Sequence, residues 1–130
     1  MDQYTDWFKW VHDARNIRKK VVSGDLPEGG INYWEFYKTD HNLAEGLGMN
    51  VYRLGIEWSR IFPSSTAGVN VDVDVASDGI ARVNIDQDDV QRLESLADGD
   101  ALNHYETVIN DLRDRGFKVI VCLNHFTLPL

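Results

Sequence analysis

Apolar residues recur along much of the chain at three- and four-residue spacing, which is typical of amphipathic helices. One such stretch predicts a helix that Asn32 caps and Gly48 ends. A second stretch predicts a longer helix that Asp100 caps and Gly116 ends. Asp86 can cap a shorter helix that precedes it. The helical pattern therefore predicts three helices with their end residues.

Other stretches have the character of strands. The run at 117–123 is almost continuously apolar, as expected of a strand buried on both faces, and 50–58 is a second candidate strand. Valines alternate with other residues around an Asp-Gly turn signal, which predicts a β-hairpin over 69–86. Residues 1–30 show no clear period, so we expect a long loop there with at most one helical turn.

The order of these elements is helix, strand, hairpin insertion, helix and strand. Strands that alternate with helices indicate parallel βαβ units and an α/β fold. Two parallel strands are too few for a stable sheet. We therefore interpret residues 1–130 as an incomplete part of one larger domain.

Composition narrows the classes of function. The chain is 43% hydrophobic and 26% charged, as globular proteins are, and no apolar run approaches the length of a membrane span. A net charge of -8 argues against a nucleic-acid partner. No signal peptide is visible at the start. The single cysteine, Cys122, excludes an internal disulfide and favours a reducing cytoplasm.

Functional side chains of parallel α/β domains gather at the C-terminal ends of the strands. Alternation puts Arg53 and Glu57 on one face of the first strand. A buried arginine needs a carboxylate partner, so Arg53 can orient a catalytic carboxylate; alternatively, it is an edge-strand arginine in water. His125 follows the second strand, where it either donates to a ligand hydroxyl or is a satisfied strand-end histidine.

Aromatic and acidic residues offer further candidates. Each tryptophan can stack on the face of a sugar ring or pack in the core. The stretch 74–85 has Asp-Gly where a calcium-binding loop would have it, but Ala76 and Ile85 stand where such a loop needs oxygen ligands. We therefore expect no metal site, and we expect no cofactor.

Several blocks of sequence, taken in order, resemble the family-one glycoside hydrolases, and specifically their archaeal β-glycosidase (β-galactosidase/β-glucosidase) branch. The resemblance extends from Thr5 to Leu130, almost the whole chain. One block reads Arg53 to Pro63 and contains Glu-Trp-Ser-Arg-Ile-Phe-Pro, and another reads Asn-His-Phe-Thr-Leu-Pro. The remaining blocks lie at 5–13, 22–28, 33–38 and 100–105.

The resemblance implies a partial (β/α)8 barrel, comprising about strands two and three with their helices plus the hairpin insertion. It also implies retaining hydrolysis by two glutamates, an acid/base and a nucleophile. Arg53 matches the arginine beside the nucleophile, and His125 matches a histidine that binds sugar hydroxyls. Phe126 stands where many members have a sugar-contacting tryptophan, and Trp7 matches an aromatic near the sugar. Both catalytic glutamates are expected after Leu130.

Two hypotheses of different classes follow from the resemblance. The chain is the N-terminal part of a retaining β-glycosidase, or it is a non-catalytic subunit that acts only by association. The expected partners are a β-linked galactoside or glucoside and a complementary C-terminal fragment or further copies of the chain, with no nucleic acid and no membrane. An unrelated barrel enzyme is a third possibility, which the ordered blocks disfavour.

Overall fold

A computed structural model of the chain describes residues 5–125, and its centre is a parallel βαβ unit. Strand β1 (Val51–Gly55) pairs with strand β4 (Lys118–Cys122) in parallel. Helix α3 (Tyr33–Gly46) precedes β1, and helix α6 (Gly99–Asp114) leads into β4. The predicted strands at 50–58 and 117–123 are thus confirmed as parallel neighbours, although both are shorter than expected.

The register of the two strands decides which side chains share a face. Arg53 lies opposite Ile120, and Gly55 lies opposite Cys122. The side of β1 that carries Leu54 is buried, whereas Arg53 and the other side are exposed. The expectation that 117–123 is buried on both faces is wrong for this chain, since Ile120 remains 54% exposed.

The hydrophobic core lies between this strand pair and the helices. One cluster joins β1 to α3 and α6, and its buried members are Tyr37, Leu54, Ile56, Ile61, Tyr105 and Val108. A second cluster, around the fully buried Leu112, joins Ala44 of α3 to Phe117 before β4. In both helices the buried residues recur at three- and four-residue spacing, as in an amphipathic helix.

Both predicted glycine stops are confirmed. Gly48 and Gly116 adopt φ values of +72° and +86°, which a residue without Cβ reaches at little cost. The amide of Met49 donates to the carbonyl of Ala44, and that of Phe117 donates to Leu112, as in Schellman ends. Each turn directs the chain from its helix straight into the following strand.

The predicted helix starts are partly wrong. Asp86 does cap helix α5 (Gln87–Leu96) and forms a capping box with Asp89. The cap of α6 is Asp98 rather than Asp100: its carboxylate accepts from two backbone amides of the first turn. Asn32 makes no side-chain capping bond, because its own backbone is left-handed with φ of +46°.

The hairpin is confirmed as a separate antiparallel ribbon. Strand β2 (Asp72–Val75) pairs with strand β3 (Ala81–Asn84), and every residue of both strands is exposed. Valine and charged residues alternate along it, so one face of the ribbon is apolar and the other is polar. The ribbon belongs to neither the β1–β4 sheet nor its core.

The expectation of a long loop over residues 1–30 is wrong. Helix α1 (Asp6–His12) begins where the Thr5 hydroxyl accepts from the amide of Phe8. Helix α2 (Ala14–Arg18) follows, with the Asp13 carboxylate as its cap. These helices are too short to show a period, so only their capping residues could have revealed them.

Two further short elements were not predicted. A 3₁₀ turn covers Pro27–Gly29, and helix α4 (Trp58–Ile61) follows β1 directly. The candidate strand at 50–58 therefore ends earlier than expected, at Gly55. No helix within residues 5–125 is long and apolar enough to span a membrane.

A buried polar network ties α3 to α6. His41 is completely buried, its Nδ1 donates to the Asp111 carboxylate at 2.7 Å, and its Nε2 is hydrogen-bonded to the Tyr33 hydroxyl. The Arg115 guanidinium donates to Asp111 and to Glu45, both at 2.7 Å. Burial opposes ionisation of Asp111, but the hydrogen bonds from Arg115 and His41 outweigh it and lower the pKa of that carboxyl.

This network predicts a specific dependence of stability on pH. Because the folded-state pKa of Asp111 lies below its usual 3.8, the carboxylate stabilises the fold fully above that pH. The contribution disappears as pH falls through the folded-state pKa. Urea unfolding between about pH 6 and pH 3 should therefore give Asp111→Asn a shallower loss of stability than the parent. Asp114→Asn, at an exposed acid of the same helix, is the control, and an unchanged acid slope in Asp111→Asn would contradict the assignment.

Candidate functional site

The candidate site lies where β1 and β4 end side by side. Arg53 extends from β1, and His125 follows β4 by three residues. Nη2 of Arg53 donates to Nδ1 of His125 at 2.8 Å, although 72 residues separate the two in sequence. The parallel pairing thus brings together the two residues that sequence reasoning had singled out.

The contact defines the chemistry of the imidazole. A guanidinium can only donate hydrogen bonds, so Nδ1 of His125 must be the acceptor. A neutral ring that accepts at Nδ1 carries its hydrogen on Nε2. The hydrogen of the neutral ring therefore lies on Nε2, the nitrogen that does not contact Arg53.

Cys122 is a member of the site that sequence reasoning missed. Its Sγ accepts a second hydrogen bond from Nη2 of Arg53 at 2.9 Å. The sequence offered one usable signal, since alternation along β4 places residue 122 on the face of residue 120. The missing information was the register, which sets Cys122 opposite Gly55 and so within reach of Arg53.

The exposed guanidinium of Arg53 meets a thiol and an imidazole within residues 5–125. Arg53 is exposed and belongs to neither cluster of the hydrophobic core. Its charge is thus available on the exposed face of the strand pair. A carboxylate placed there would meet a cation that is already held by two neutral acceptors.

Glu57 lies two residues beyond the end of β1 and immediately precedes α4. Its backbone amide donates to the Tyr105 hydroxyl at 2.8 Å, which attaches the end of the strand to α6. Glu57 also lines a cavity of about 620 Å³ together with Arg60 and His104. Because Glu57 lies beyond Gly55, the last residue of β1, strand alternation does not determine whether it shares a face with Arg53.

The tryptophans divide between the core and the surface. Trp34 packs against Tyr105, and the Arg60 guanidinium lies 4.2 Å from the centre of its ring. Trp58 stacks on Phe62, and its indole Nε1 donates to the carbonyl of Leu123. Both of these tryptophans therefore have structural contacts.

Trp7, the aromatic residue proposed to lie near a sugar, is 47% exposed on α1. Its ring centre is 6.2 Å from that of Trp10 on the same helix. Phe126, the other proposed aromatic contact, lies outside the described residues. Within residues 5–125, no three His, Cys, Asp or Glu side chains come together as a metal site would require.

Comparison with known sequences decides the family. The sequence model described as "Glycosyl hydrolase family 1" matches residues 6–80, more than half of the chain. The chain belongs to glycosyl hydrolase family 1. The family that the ordered motifs of this family-1 chain predict is thus confirmed.

Within the family, this family-1 chain is similar to β-galactosidases and to a β-glycosidase of known structure. It is 51% identical to a β-galactosidase of Pyrococcus woesei over 99% of its own length and 26% of the relative's. It is 43% identical to a β-galactosidase of Saccharolobus solfataricus, over 99% of the chain and 26% of that protein. The crystal structure of the β-glycosidase from Thermosphaera aggregans superposes with a TM-score of 0.90 at 45% identity, covering 99% of this chain and 27% of that one.

The family-1 chain spans about a quarter of the length of the relatives it matches, at their N-terminal end. Its structural relatives are (β/α)8-barrel glycosidases, so β1 and β4 correspond to neighbouring strands of a barrel wall. Residues 5–125 contribute part of that wall and no closed barrel. The Arg53–His125 contact accordingly lies at the C-terminal end of the barrel strands, where active sites of this fold are found.

The attachment of the β1 end to α6 can be tested through Tyr105. Tyr105→Phe removes the acceptor of the Glu57 amide and should lower the free energy of unfolding by about 1 kcal/mol. Tyr105→Leu also removes the ring that packs against Trp34, and it should cost about 2 kcal/mol more. Urea denaturation of the three proteins measures both steps. If Tyr105→Phe were as stable as the parent, the hydroxyl would not hold the strand end.

Proposed function

We propose that residues 1–130 are the N-terminal part of a single (β/α)8-barrel domain of a retaining β-glycosidase. The substrates are β-linked galactosides or glucosides, in line with the names of the relatives, which are β-galactosidases and a β-glycosidase. The observation that carries the proposal is the 2.8 Å contact between Arg53 and His125 at adjoining strand ends. Family membership supports it, because Arg53 lies within the matched residues 6–80. His125 lies beyond that match and is assigned by its resemblance to the family's Asn-His-Phe block.

In this proposal Arg53 assists the nucleophile. A retaining glycosidase needs one carboxylate to attack the anomeric carbon and a second carboxyl to protonate the departing oxygen. A neighbouring guanidinium favours the ionised form of the attacking carboxylate. Arg53 lies on the exposed strand face, where a thiol and an imidazole hold its guanidinium, so it can serve a carboxylate from another strand.

His125 is assigned to the sugar. With Nδ1 occupied by Arg53, its Nε2–H is the donor for a hydroxyl group of the substrate. A hydrogen bond of this kind orients the sugar ring and strengthens as the ring distorts toward the transition state. Trp7 and Phe126 are assigned as aromatic contacts to the sugar by their match to the family's positions.

The proposal also gives the chain a polypeptide partner. Both catalytic glutamates of the family are expected beyond residue 130, so the remaining barrel strands must be supplied by further polypeptide. Val51 and Ile120 are 45% and 54% exposed on the strand face, and apolar surface of this kind is normally covered in a completed barrel. We place the protein in the cytoplasm, because its single cysteine fits a reducing compartment.

The proposed function predicts, first, that residues 1–130 alone hydrolyse no nitrophenyl β-galactoside or β-glucoside. The chain supplies neither of the two carboxyl groups that the retaining mechanism requires. Mixing the chain with the complementary C-terminal polypeptide of the Pyrococcus woesei β-galactosidase should restore turnover, and this mixture is called the complemented enzyme. Release of nitrophenol measures both.

The control is the C-terminal polypeptide by itself, which should also be inactive. Turnover by the chain alone that is lost in Glu57→Gln would show that a catalytic carboxylate is present in it. No turnover in a mixture that forms a stable complex would contradict the proposed function.

The proposed function makes a second prediction, which concerns Arg53 and His125 in the complemented enzyme. Arg53→Ala should lower kcat by about 10²-fold, the loss typical of a preorganised charge partner in the transition state. His125→Ala should lower kcat/KM by about tenfold, the equivalent of one hydrogen bond to the sugar. Arg82→Ala, which removes an exposed arginine of the hairpin, is the matched control and should leave both constants near those of the parent. Parent-like kinetics in both site variants would remove Arg53 and His125 from the active site.

A further inference from the structure

We infer that Cys122 is a positioning residue, which holds the guanidinium of Arg53 in the orientation that the reaction uses. The inference rests on the proposed function for its catalytic meaning. The contact itself is independent of that function: Sγ of Cys122 lies 2.9 Å from Nη2 of Arg53.

The strand register creates this contact. Arg53 lies opposite Ile120, and Cys122 lies one step further along the same face of β4. Gly55, which is opposite Cys122, presents no side chain between the guanidinium and the thiol. Arg53 can therefore cross from its own strand to the neighbouring one.

The two acceptors together define the position of the guanidinium. Nη2 carries two hydrogens, and it has two acceptors, Sγ of Cys122 at 2.9 Å and Nδ1 of His125 at 2.8 Å. Both acceptors are neutral, so neither cancels the charge of Arg53. The N–H groups on Nε and Nη1 are three further donors for a carboxylate.

Cys122 is itself held from the other side. Its Sγ is 3.5 Å from the carbonyl oxygen of Asn124, to which the thiol donates. A thiol can accept one hydrogen bond and donate another, so Cys122 connects Arg53 to the backbone that carries His125. Alanine has neither capacity, and serine has both.

This connection matters because Arg53 is exposed and has a long, flexible side chain. A catalytic charge contributes most when it is already in place and needs no reorganisation during the reaction. Removing one of two fixed acceptors should allow the guanidinium to leave its working position for part of the time. The loss should therefore appear in kcat rather than in KM.

Kinetics of the complemented enzyme test the role of Cys122. Cys122→Ala should lower kcat by about three- to tenfold with KM nearly unchanged, and Cys122→Ser should recover most of the loss. In an Arg53→Ala background, Cys122→Ala should have no further effect on kcat, because the residue acts through Arg53. Ile120→Val, which removes one methyl group from the same strand face, is the control for packing.

Three kinetic outcomes would overturn the inference. They are parent-like kcat in Cys122→Ala, equal loss in the alanine and serine variants, and multiplicative losses in the double variant with Arg53→Ala. The last outcome would show that Cys122 acts independently of Arg53.

A second measurement separates this inference from the proposed function. Thermal unfolding of the 130-residue chain is compared for the parent, Arg53→Ala, Cys122→Ala and the double variant. The two shifts in Tm should be non-additive if the side chains are in contact, and additive shifts would refute the contact. If the complemented enzyme showed no turnover while the Tm shifts were non-additive, the proposed function would fail and the contact would stand.

Discussion

The parallel pairing of β1 with β4 is the constraint on which the rest of the structure depends. It brings residues about 70 positions apart into contact, and it does so in a single register. On one face of the pair Leu54 is buried against α3 and α6, and on the other face Arg53 is exposed. A shift of the register by one residue would exchange these faces and destroy both the core and the site.

The helices enforce that register from the outside. Helix α6 contacts β4 through the buried Leu112 cluster, and it holds the end of β1 through the Tyr105 hydroxyl. The His41–Asp111–Arg115 network ties α3 to α6 at the same level as this packing. A buried imidazole beside a carboxylate is also found in catalytic sites. Here the hydrogen bonds join residues of α3 to Asp111 and Arg115, so the network serves to fix the two helices against each other.

Much of this arrangement could be predicted from the pattern of apolar residues. Both core strands, the hairpin, the two long helices and the glycines that end them followed from spacing alone. The errors concern ends and short elements, such as Asp98 as the cap of α6 and the turn into α4. Capping depends on one or two local hydrogen bonds, and several nearby acids in the sequence could have made them.

The sequence by itself determined the α/β class, the family resemblance and the choice of Arg53 and His125 as candidates. Periodicity and ordered motifs are local properties, so they can be read without knowing which strands meet. Only the tertiary structure decided that Arg53 is held by Cys122 as well as by His125. It also decided that β1 ends at Gly55, so that Glu57 lies outside the strand, at the start of α4. The physical reason is that contacts across a parallel pair depend on register, and the register is set by the packing of helices distant in sequence.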